Sequence, residues 1–491
     1  MKVNNKFKTI PYQHQEVAYE KSDNKTAFAY LMEMGTGKSK SLLDDIARLY
    51  SEKQIDFALI IAPKGVYRNW LELEIPAHFW ESIPTSVSSW QSPMSKGRKH
   101  EIKEMCAATD KMKVFVMNVE AFSSIRGREA GEWFARRFGA KGLVAVDEST
   151  TIKNHKAKRT KALIKLSKNF RYKRILTGSP VTNSPLDLFS QCEFLGTQML
   201  GFSSFYAFQA RYAVLKNVKM GTKSFNQIIG FRHLEELTKK LEAFSFRVLK
   251  EDCLDLPEKI YTVRYVSMTK EQLDMYTRIQ KQALLLLDNG DLVTTPAVIT
   301  QMLRLQQILS GHLKTDDGEI ISFPTQRLDA LLDICQESSG KIIIWSRFRH
   351  DIITITKTLK KVFGEASTAS FFGDTSEDER QRVIREFQSE NSKLRFFVGN
   401  PATAGRGLTL TRASTVVYYT NDFNWDTRAQ SEDRAHRIGQ HNPVTYVDLI
   451  CEGTIDEKIV KALTGKIKMS ANVLGENIKK WLKLNPKSKA V

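Results

Sequence analysis

The stretch Leu31-Met-Glu-Met-Gly-Thr-Gly-Lys-Ser39 constrains this chain most, because it sets a glycine-bearing turn between an apolar run and a helical pattern. Upstream, Ala27–Leu31 reads as a buried strand; downstream, Leu42, Leu43, Ile46, Ala47 and Tyr50 recur at helical spacing. Glycines at 35 and 37 let the backbone N–H groups curl around a β-phosphate at the positive end of the helix that follows. The candidate triphosphate-binding residues are therefore Met34, Gly35, Thr36, Gly37, Lys38, Ser39 and Lys40. Within them Lys38 reaches the β/γ oxygens and the Ser39 hydroxyl holds Mg2+. The full G-x-x-x-x-G-K-[ST] pattern fails at its first glycine, which is Met32 here. Taken alone, the motif leaves an ordinary glycine-bearing surface turn as the alternative.

A second motif supports the first. In Gly142-Leu-Val-Ala-Val-Asp147-Glu148 an apolar run ends in adjacent carboxylates, where a parallel strand delivers residues to the ligand edge of an α/β sheet. Asp147 is expected to hold the same Mg2+, with Ser39, and Glu148 to orient and deprotonate the attacking water.

Apolar runs at Ala58–Ala62, Val114–Met117, Leu143–Val146 and Ile175–Leu176 alternate with helical stretches and predict one doubly wound domain. A second series, Ile342–Trp345, Phe396–Gly399, Thr415–Tyr419 and Val444–Leu449, predicts another. The fold class is thus α/β, two doubly wound parallel-sheet lobes with helical insertions between them. Boundaries fall at 1–200 for the first lobe, 201–324 for the insertions, 325–478 for the second lobe and 479–491 for a basic tail. Within the insertions, Phe205–Tyr212, His233–Leu241, Leu284–Leu287 and Gln301–Gly311 predict helices, with room for short strands only.

Arg434 and Arg437 stand three residues apart, a spacing that places both on one face of a helical turn. Planar, permanently charged guanidinium groups suit phosphate oxygens, and an arginine finger is worth roughly 10³–10⁵ in rate in phosphoryl transfer. A solvated basic face is the alternative for an isolated Arg-x-x-Arg.

With these motifs together, the chain resembles the superfamily 2 helicase-type ATPases, and among them the Swi/Snf-related DNA translocases, over nearly its whole length. The nucleotide loop, Ala62-Pro63 with Asn69-Trp70, Asp147-Glu148 with Lys153-Asn154, and Thr177-Gly-Ser-Pro180 resemble that family's first-lobe motifs. Trp345-Ser346, Thr403-Ala-Gly-Arg-Gly-Leu-Thr409 and Gln430 through Arg434-Ala-His-Arg437-Ile-Gly-Gln440 resemble those of the second, the last string being the most specific. The resemblance implies two RecA-like lobes, ATP and Mg2+ as nucleotide and metal, and Gln15 as the adenine-reading residue, with Gln13 as a second candidate. It further implies Gly405 and Gln430 as nucleotide contacts, and Thr177 and Ser179 as residues coupling hydrolysis to movement. Nucleic-acid contacts fall, by motif position, on Lys64, Asn69, Trp70, Asn118, Arg347, Thr403 and Thr409. The chain departs from the pattern at Met32, at Ser149-Thr150 and at Arg406.

Lys and Arg number 74 against 55 Asp and Glu, a formal charge of +19 that favours a polyanionic partner. From Lys153 to Arg174 ten basic residues occur with no acid among them. Five scattered cysteines without a C-x-x-C spacing argue against a disulfide or zinc scaffold. The absence of a long apolar run or signal core argues against membrane insertion. The expectation is an intracellular protein of bacterial or phage-infected cytoplasm, with DNA, duplex or branched, as partner. Oligomeric state is left open, a monomer being preferred. The activity expected is ATP-driven translocation along DNA. A strand-separating or branch-migrating helicase is the alternative enzyme, and an ATP-switched DNA-binding protein the alternative of another class.

Overall fold

The computed structural model describes residues 7–463 apart from 65, 182–183, 221–222, 289–294, 316, 405–407, 423 and 461–462. The chain divides into two compact units between Asp255 and Leu256.

The first unit holds a seven-stranded, wholly parallel sheet. Its strands are β1 (Ala27–Met32), β2 (Phe57–Ala62), β3 (Thr85–Ser89), β4 (Met112–Asn118), β5 (Gly142–Asp147), β6 (Tyr172–Leu176) and β9 (Ser245–Val248), ordered β3-β4-β2-β5-β6-β1-β9. A separate antiparallel ribbon pairs β7 (Ala213–Met220) with β8 (Lys223–Phe231). Both faces of the main sheet are buried, which is why its central strands read as unbroken apolar runs. Phe57, Leu59 and Ile61 of β2 enter one core while Ala58, Ile60 and Ala62 enter the other. The connecting helices that cover the sheet are α1 (Gln13–Lys21), α2 (Lys38–Ser51) and others such as Ile125–Phe138, Lys158–Ser167 and Leu188–Leu195. Fully buried Arg174 and Asp45 pair at 2.7 Å inside this unit.

The second unit holds a six-stranded parallel sheet: β10 (Lys259–Val266), β13 (Lys341–Trp345), β14 (Thr368–Phe371), β15 (Phe396–Gly399), β16 (Ala413–Tyr418) and β17 (Val444–Cys451), ordered β10-β17-β16-β13-β15-β14. A short hairpin joins β11 (His312–Lys314) to β12 (Ile320–Ser322). Again the alternation serves two cores: Ile342 and Ile344 face one, Ile343 and Trp345 the other.

Every strand predicted from the apolar runs lies in one of the two sheets. The insertions differ from expectation. Helices form at Phe205–Tyr212, Leu234–Glu242, Lys270–Asp288 and Thr295–Leu309, but the ribbon β7–β8 and the eight-residue β10 are not short strands. Both escape a search for buried runs because they are largely solvent-exposed. Among the described residues no helix is long and apolar enough to cross a membrane.

Candidate active site

Because all main-sheet strands of the first unit run parallel, their C-terminal ends share one edge. There lie Met32 of β1, Ala62 of β2, Asn118 of β4, Asp147 of β5 and Leu176 of β6, each at or next to a residue singled out in the sequence. This is the edge at which open α/β sheets hold ligands.

After β1 the chain turns through Gly35 and Gly37, at φ +80° and +86°, and enters α2 at Lys38. Those angles favour glycine. Space does too, since a Cβ on Gly37 would stand 2.1 Å from the Gln15 Nε2. The Glu33 carbonyl collects the loop's donors: the Thr36 N–H at 3.3 Å, the Thr36 hydroxyl at 2.7 Å and the Lys38 ammonium at 3.3 Å. A triphosphate would compete with that carbonyl for Lys38. Met34 is buried against Gly178, whose own Cβ would meet the Met34 backbone nitrogen at 3.0 Å. The phosphate loop thus packs directly on the Thr177–Pro180 turn. Arg247 reinforces the joint by donating to the Leu31 carbonyl at 2.8 Å and the Gly178 carbonyl at 3.2 Å.

At the end of β5, Asp147 accepts from the Glu148 backbone N–H at 2.9 Å and from the indole N–H of Trp70 at 3.0 Å. Burial, then the adjacent Glu148 charge, pushes its carboxyl up to about 7, while Trp70 and the Lys38 ammonium pull it back. Glu148 itself sits in the left-handed region at φ +47°, an uncommon conformation for a non-glycine residue. Its Oε2 is buried without a hydrogen-bond partner among the described residues.

These features fit a hard cation. A buried carboxylate whose ionisation is penalised, a neighbouring orphaned carboxylate oxygen, and the half-buried Ser39 hydroxyl make an all-oxygen donor set. Mg2+ characteristically takes one or two carboxylates plus substrate phosphate. Asp147 and Ser39 are the residues that would hold it.

The carboxylate strand is wired to the Thr177–Pro180 turn by residues that carry no motif. Ser149 donates to Gln191 Oε1 at 2.7 Å. Gln191 in turn donates to the carbonyls of Pro180 and Asp187, both at 2.8 Å. Ser149 and Gln191 are fully buried. Thr177 is buried, and its hydroxyl accepts from the Ser179 N–H at 3.2 Å.

Several sequence-based roles are corrected. Trp70 cannot touch nucleic acid as expected: it is 1% exposed and its indole N–H is given to Asp147, so it orients the carboxylate instead. It opens a π-helical turn, Trp70–Glu74, of the kind that recurs at functional sites. The Lys40 side chain is turned away from the phosphate loop into a buried pair with Asp44 at 2.6 Å, leaving only its backbone for a nucleotide. Gln15 is buried with its amide bonded to the Tyr12 N–H and the Thr36 carbonyl, so it supports the loop; Gln13 is the exposed one of the two. Asn118 uses its Oδ1 to cap the turn that follows, accepting from the Ala121 N–H at 3.2 Å. Lys64 lies exposed at the same edge, and Asn69 is half-buried.

In the second unit, Arg434 and Arg437 do not lie in a helix, since the helix ends at Glu432 and both follow in turns. Their guanidinium groups nevertheless converge, both donating to the Leu408 carbonyl, Arg434 at 3.1 Å and Arg437 at 3.4 Å. Arg434 is buried and also donates to the Gln430 carbonyl; Arg437 is half-buried. Gln430 is 2% exposed and donates to Asp426 at 3.2 Å, so its side chain faces inward. Arg347, beyond β13, donates to Gln306 at 2.9 Å, and Thr403 and Thr409 are half-buried beyond β15. Gly405 and Arg406, and the 479–491 tail, lie outside the described residues.

A glycine-rich loop leading into a helix, with a carboxylate pair at the same edge of a parallel sheet, defines a P-loop nucleotide-binding protein. The SNF2-related domain model matches residues 12–312, and the helicase conserved C-terminal domain model matches 325–439. The chain belongs to the SNF2-related family. It is 25% identical over 475 residues to an uncharacterized ATP-dependent helicase of Mycoplasma genitalium, covering 95% of this chain and 42% of that one. It is likewise 25% identical over 459 residues to an ISWI chromatin-remodeling complex ATPase of Arabidopsis thaliana, covering 90% and 40%. The chain therefore spans about two fifths of the length of these relatives. Among solved structures, the Sulfolobus solfataricus SWI2/SNF2 ATPase core in complex with dsDNA is similar at 23% identity and a TM-score of 0.42, covering 98% of each chain.

Proposed function

We propose that this protein is an ATP-dependent DNA translocase that moves along duplex or branched DNA by gripping the phosphate backbone. The observation that carries the ATPase half is that the phosphate loop after β1 and the Asp147–Glu148 pair at the end of β5 stand at the same edge of one parallel sheet. Phosphate loop and carboxylates therefore act on one ligand. ATP is the substrate; Asp147 and Ser39 would hold Mg2+, which would supply neutralisation of β/γ charge. Lys38 leaves the Glu33 carbonyl for the phosphates, Glu148 takes a proton from the attacking water, and Trp70 fixes the Asp147 carboxylate. Arg434 and Arg437 are assigned as the arginines supplied to the triphosphate during turnover. Thr177 and Ser179, bonded to each other and joined to the carboxylate strand through Ser149 and Gln191, are assigned to coupling.

DNA as the track is supported by family membership and by charge. Lys156, Lys158, Lys161, Lys165 and Lys168 are exposed along and beside the Lys158–Ser167 helix, and Lys64 is exposed at the sheet edge. The basic run is not uniform: Arg174 is a buried structural residue, and Arg159 donates to the Thr151 carbonyl at 3.0 Å. Backbone contact is accordingly assigned to Lys64, Lys156 and Lys161, with Asn69, Arg347, Thr403 and Thr409 by motif position. Steady-state ATPase with no polymer, single-stranded DNA, duplex DNA, forked DNA and RNA tests the reading. Strong stimulation by duplex DNA, abolished by E148Q, is expected. Negligible turnover with every polymer would favour the ATP-switched binding protein.

A further inference from the structure

The ribbon β7–β8 is rooted in the first unit, and among its described residues beyond the base both faces carry exposed side chains. At its base Tyr212 and Ala213 are buried, the Arg232 N–H bonds the Tyr212 carbonyl at 2.9 Å, and the Arg232 side chain holds the carbonyls of Ala210 and Arg211. Beyond that base, Leu215, Lys216 and Asn217 on one strand and Asn226, Gln227, Ile228 and Ile229 on the other are all exposed. Ile229 is 57% exposed, and the cross-strand neighbours Leu215 and Ile228 are each 38% exposed. A sheet ordinarily buries at least one face, and a lone two-stranded hairpin is marginal in water.

The occupant is indicated by charge. From Phe194 to Leu234 the sequence contains no Asp or Glu; Arg211 is paired with Glu236 and Arg232 with backbone carbonyls, so the charge of the ribbon's own sequence comes from Lys216, Lys219 and Lys223. The ribbon's described polar side chains include Lys216 opposite Gln227 on one face and Asn217 opposite Asn226 on the other, the two asparagines bonded at 3.3 Å. Ammonium and carboxamide groups donate to phosphate and sugar oxygens without demanding a particular base. Dimensions agree, because strands about 4.8 Å apart form a ribbon that a DNA major groove about 12 Å wide admits.

We infer that β7–β8 is a docking arm for duplex DNA, lying in a groove and gripping it beside the ATP-driven track. This rests on the reading of duplex DNA as the track. The arm adds affinity and extends the bound length of duplex, and plays no part in hydrolysis.

The test uses the full chain and binding to duplex and single-stranded DNA across a salt series. K216E combined with Q227E reverses the charge of one ribbon face, and K216Q removes it mildly. Duplex affinity is expected to fall at least tenfold in the double variant and a few-fold in K216Q. The slope of log affinity against log salt should shrink by about 0.9 for each phosphate that the variant no longer neutralises. A photoreactive residue at Asn217 is expected to crosslink to duplex DNA, a readout independent of how well the charge variants fold. Unchanged affinity and slope with no crosslink would overturn the arm while leaving the translocase intact, and so would crosslinks only to a second copy of the chain. A wild-type protein that does not bind duplex DNA would overturn the track itself and the arm with it.

Discussion

D147N should make the protein relatively more stable as pH rises, while abolishing its activity. Asp147 is buried beside Glu148, and its carboxyl is raised from 3.8 to about 7. A group whose folded value lies above its unfolded value gives stability that is fully present below 3.8 and is lost as pH rises through 7. Across that window the folded state holds a proton that the unfolded chain has released. The loss runs at about 1.4 kcal/mol per pH unit below the folded value and levels off above it, so from about pH 5.5 to 8.5 the wild type should give up about 2 kcal/mol at this site. Asparagine does not titrate. It also spoils one of the two bonds that Asp147 accepts, from Trp70 or from the Glu148 N–H, at about 1–3 kcal/mol, but that cost is independent of pH. Urea denaturation of both proteins without nucleotide, at several pH values, isolates the difference. The stability of D147N minus that of the wild type should climb by about 2 kcal/mol over this range. E148Q, which removes the like charge, should flatten the wild-type slope. A difference that is constant with pH, or that falls, would refute the claim that ionising Asp147 is penalised.

W70F removes the donor that steadies ionised Asp147, so the acidic limb of the ATPase pH profile should move to higher pH; an unmoved limb would return Trp70 to a purely packing role. K38A should lose nucleotide affinity, whereas E148Q should still bind ATP and fail to turn it over, as measured by nucleotide titration beside single-turnover hydrolysis. R437A should leave ATP affinity within a few-fold and lower DNA-stimulated turnover at least tenfold. R434A is the poorer probe, because Arg434 is buried against the Leu408 and Gln430 carbonyls and its loss also takes the donor from the Gln430 carbonyl.

What the sequence discloses about this molecule follows from what leaves a pattern. Strands buried on both faces, such as Ala58–Ala62 and Ile342–Trp345, write continuous apolar runs, and the motifs sit where those runs stop. Edge and exposed strands write none. Thr85–Ser89 is rich in serine, and the ribbon strands 213–220 and 223–231 mix polar and apolar residues without a period of two, residues 215–217 and 226–229 being exposed. The phosphate loop and carboxylate pair were legible because phosphate chemistry restricts residue type at fixed spacing. Their supports were less so, since Trp70, Gln191 and Arg247 meet the site only through tertiary contacts. A tryptophan after a nucleic-acid motif reads as a surface residue until the fold sends its N–H to Asp147. Lys40 shows the converse: adjacency to Lys38 suggests a shared ligand, but the helix turns its side chain to Asp44.

Displacement of a third strand from a triplex is the measurement closest to the central claim, because it reports movement along an intact duplex rather than binding or hydrolysis alone. With ATP and Mg2+ the wild type is expected to strip the third strand at a rate that grows with ATP concentration, without separating the underlying duplex, and E148Q is expected to leave the triplex in place. A wild type that hydrolyses ATP on duplex DNA yet never displaces the third strand, or that acts only by opening a forked duplex, would contradict translocation.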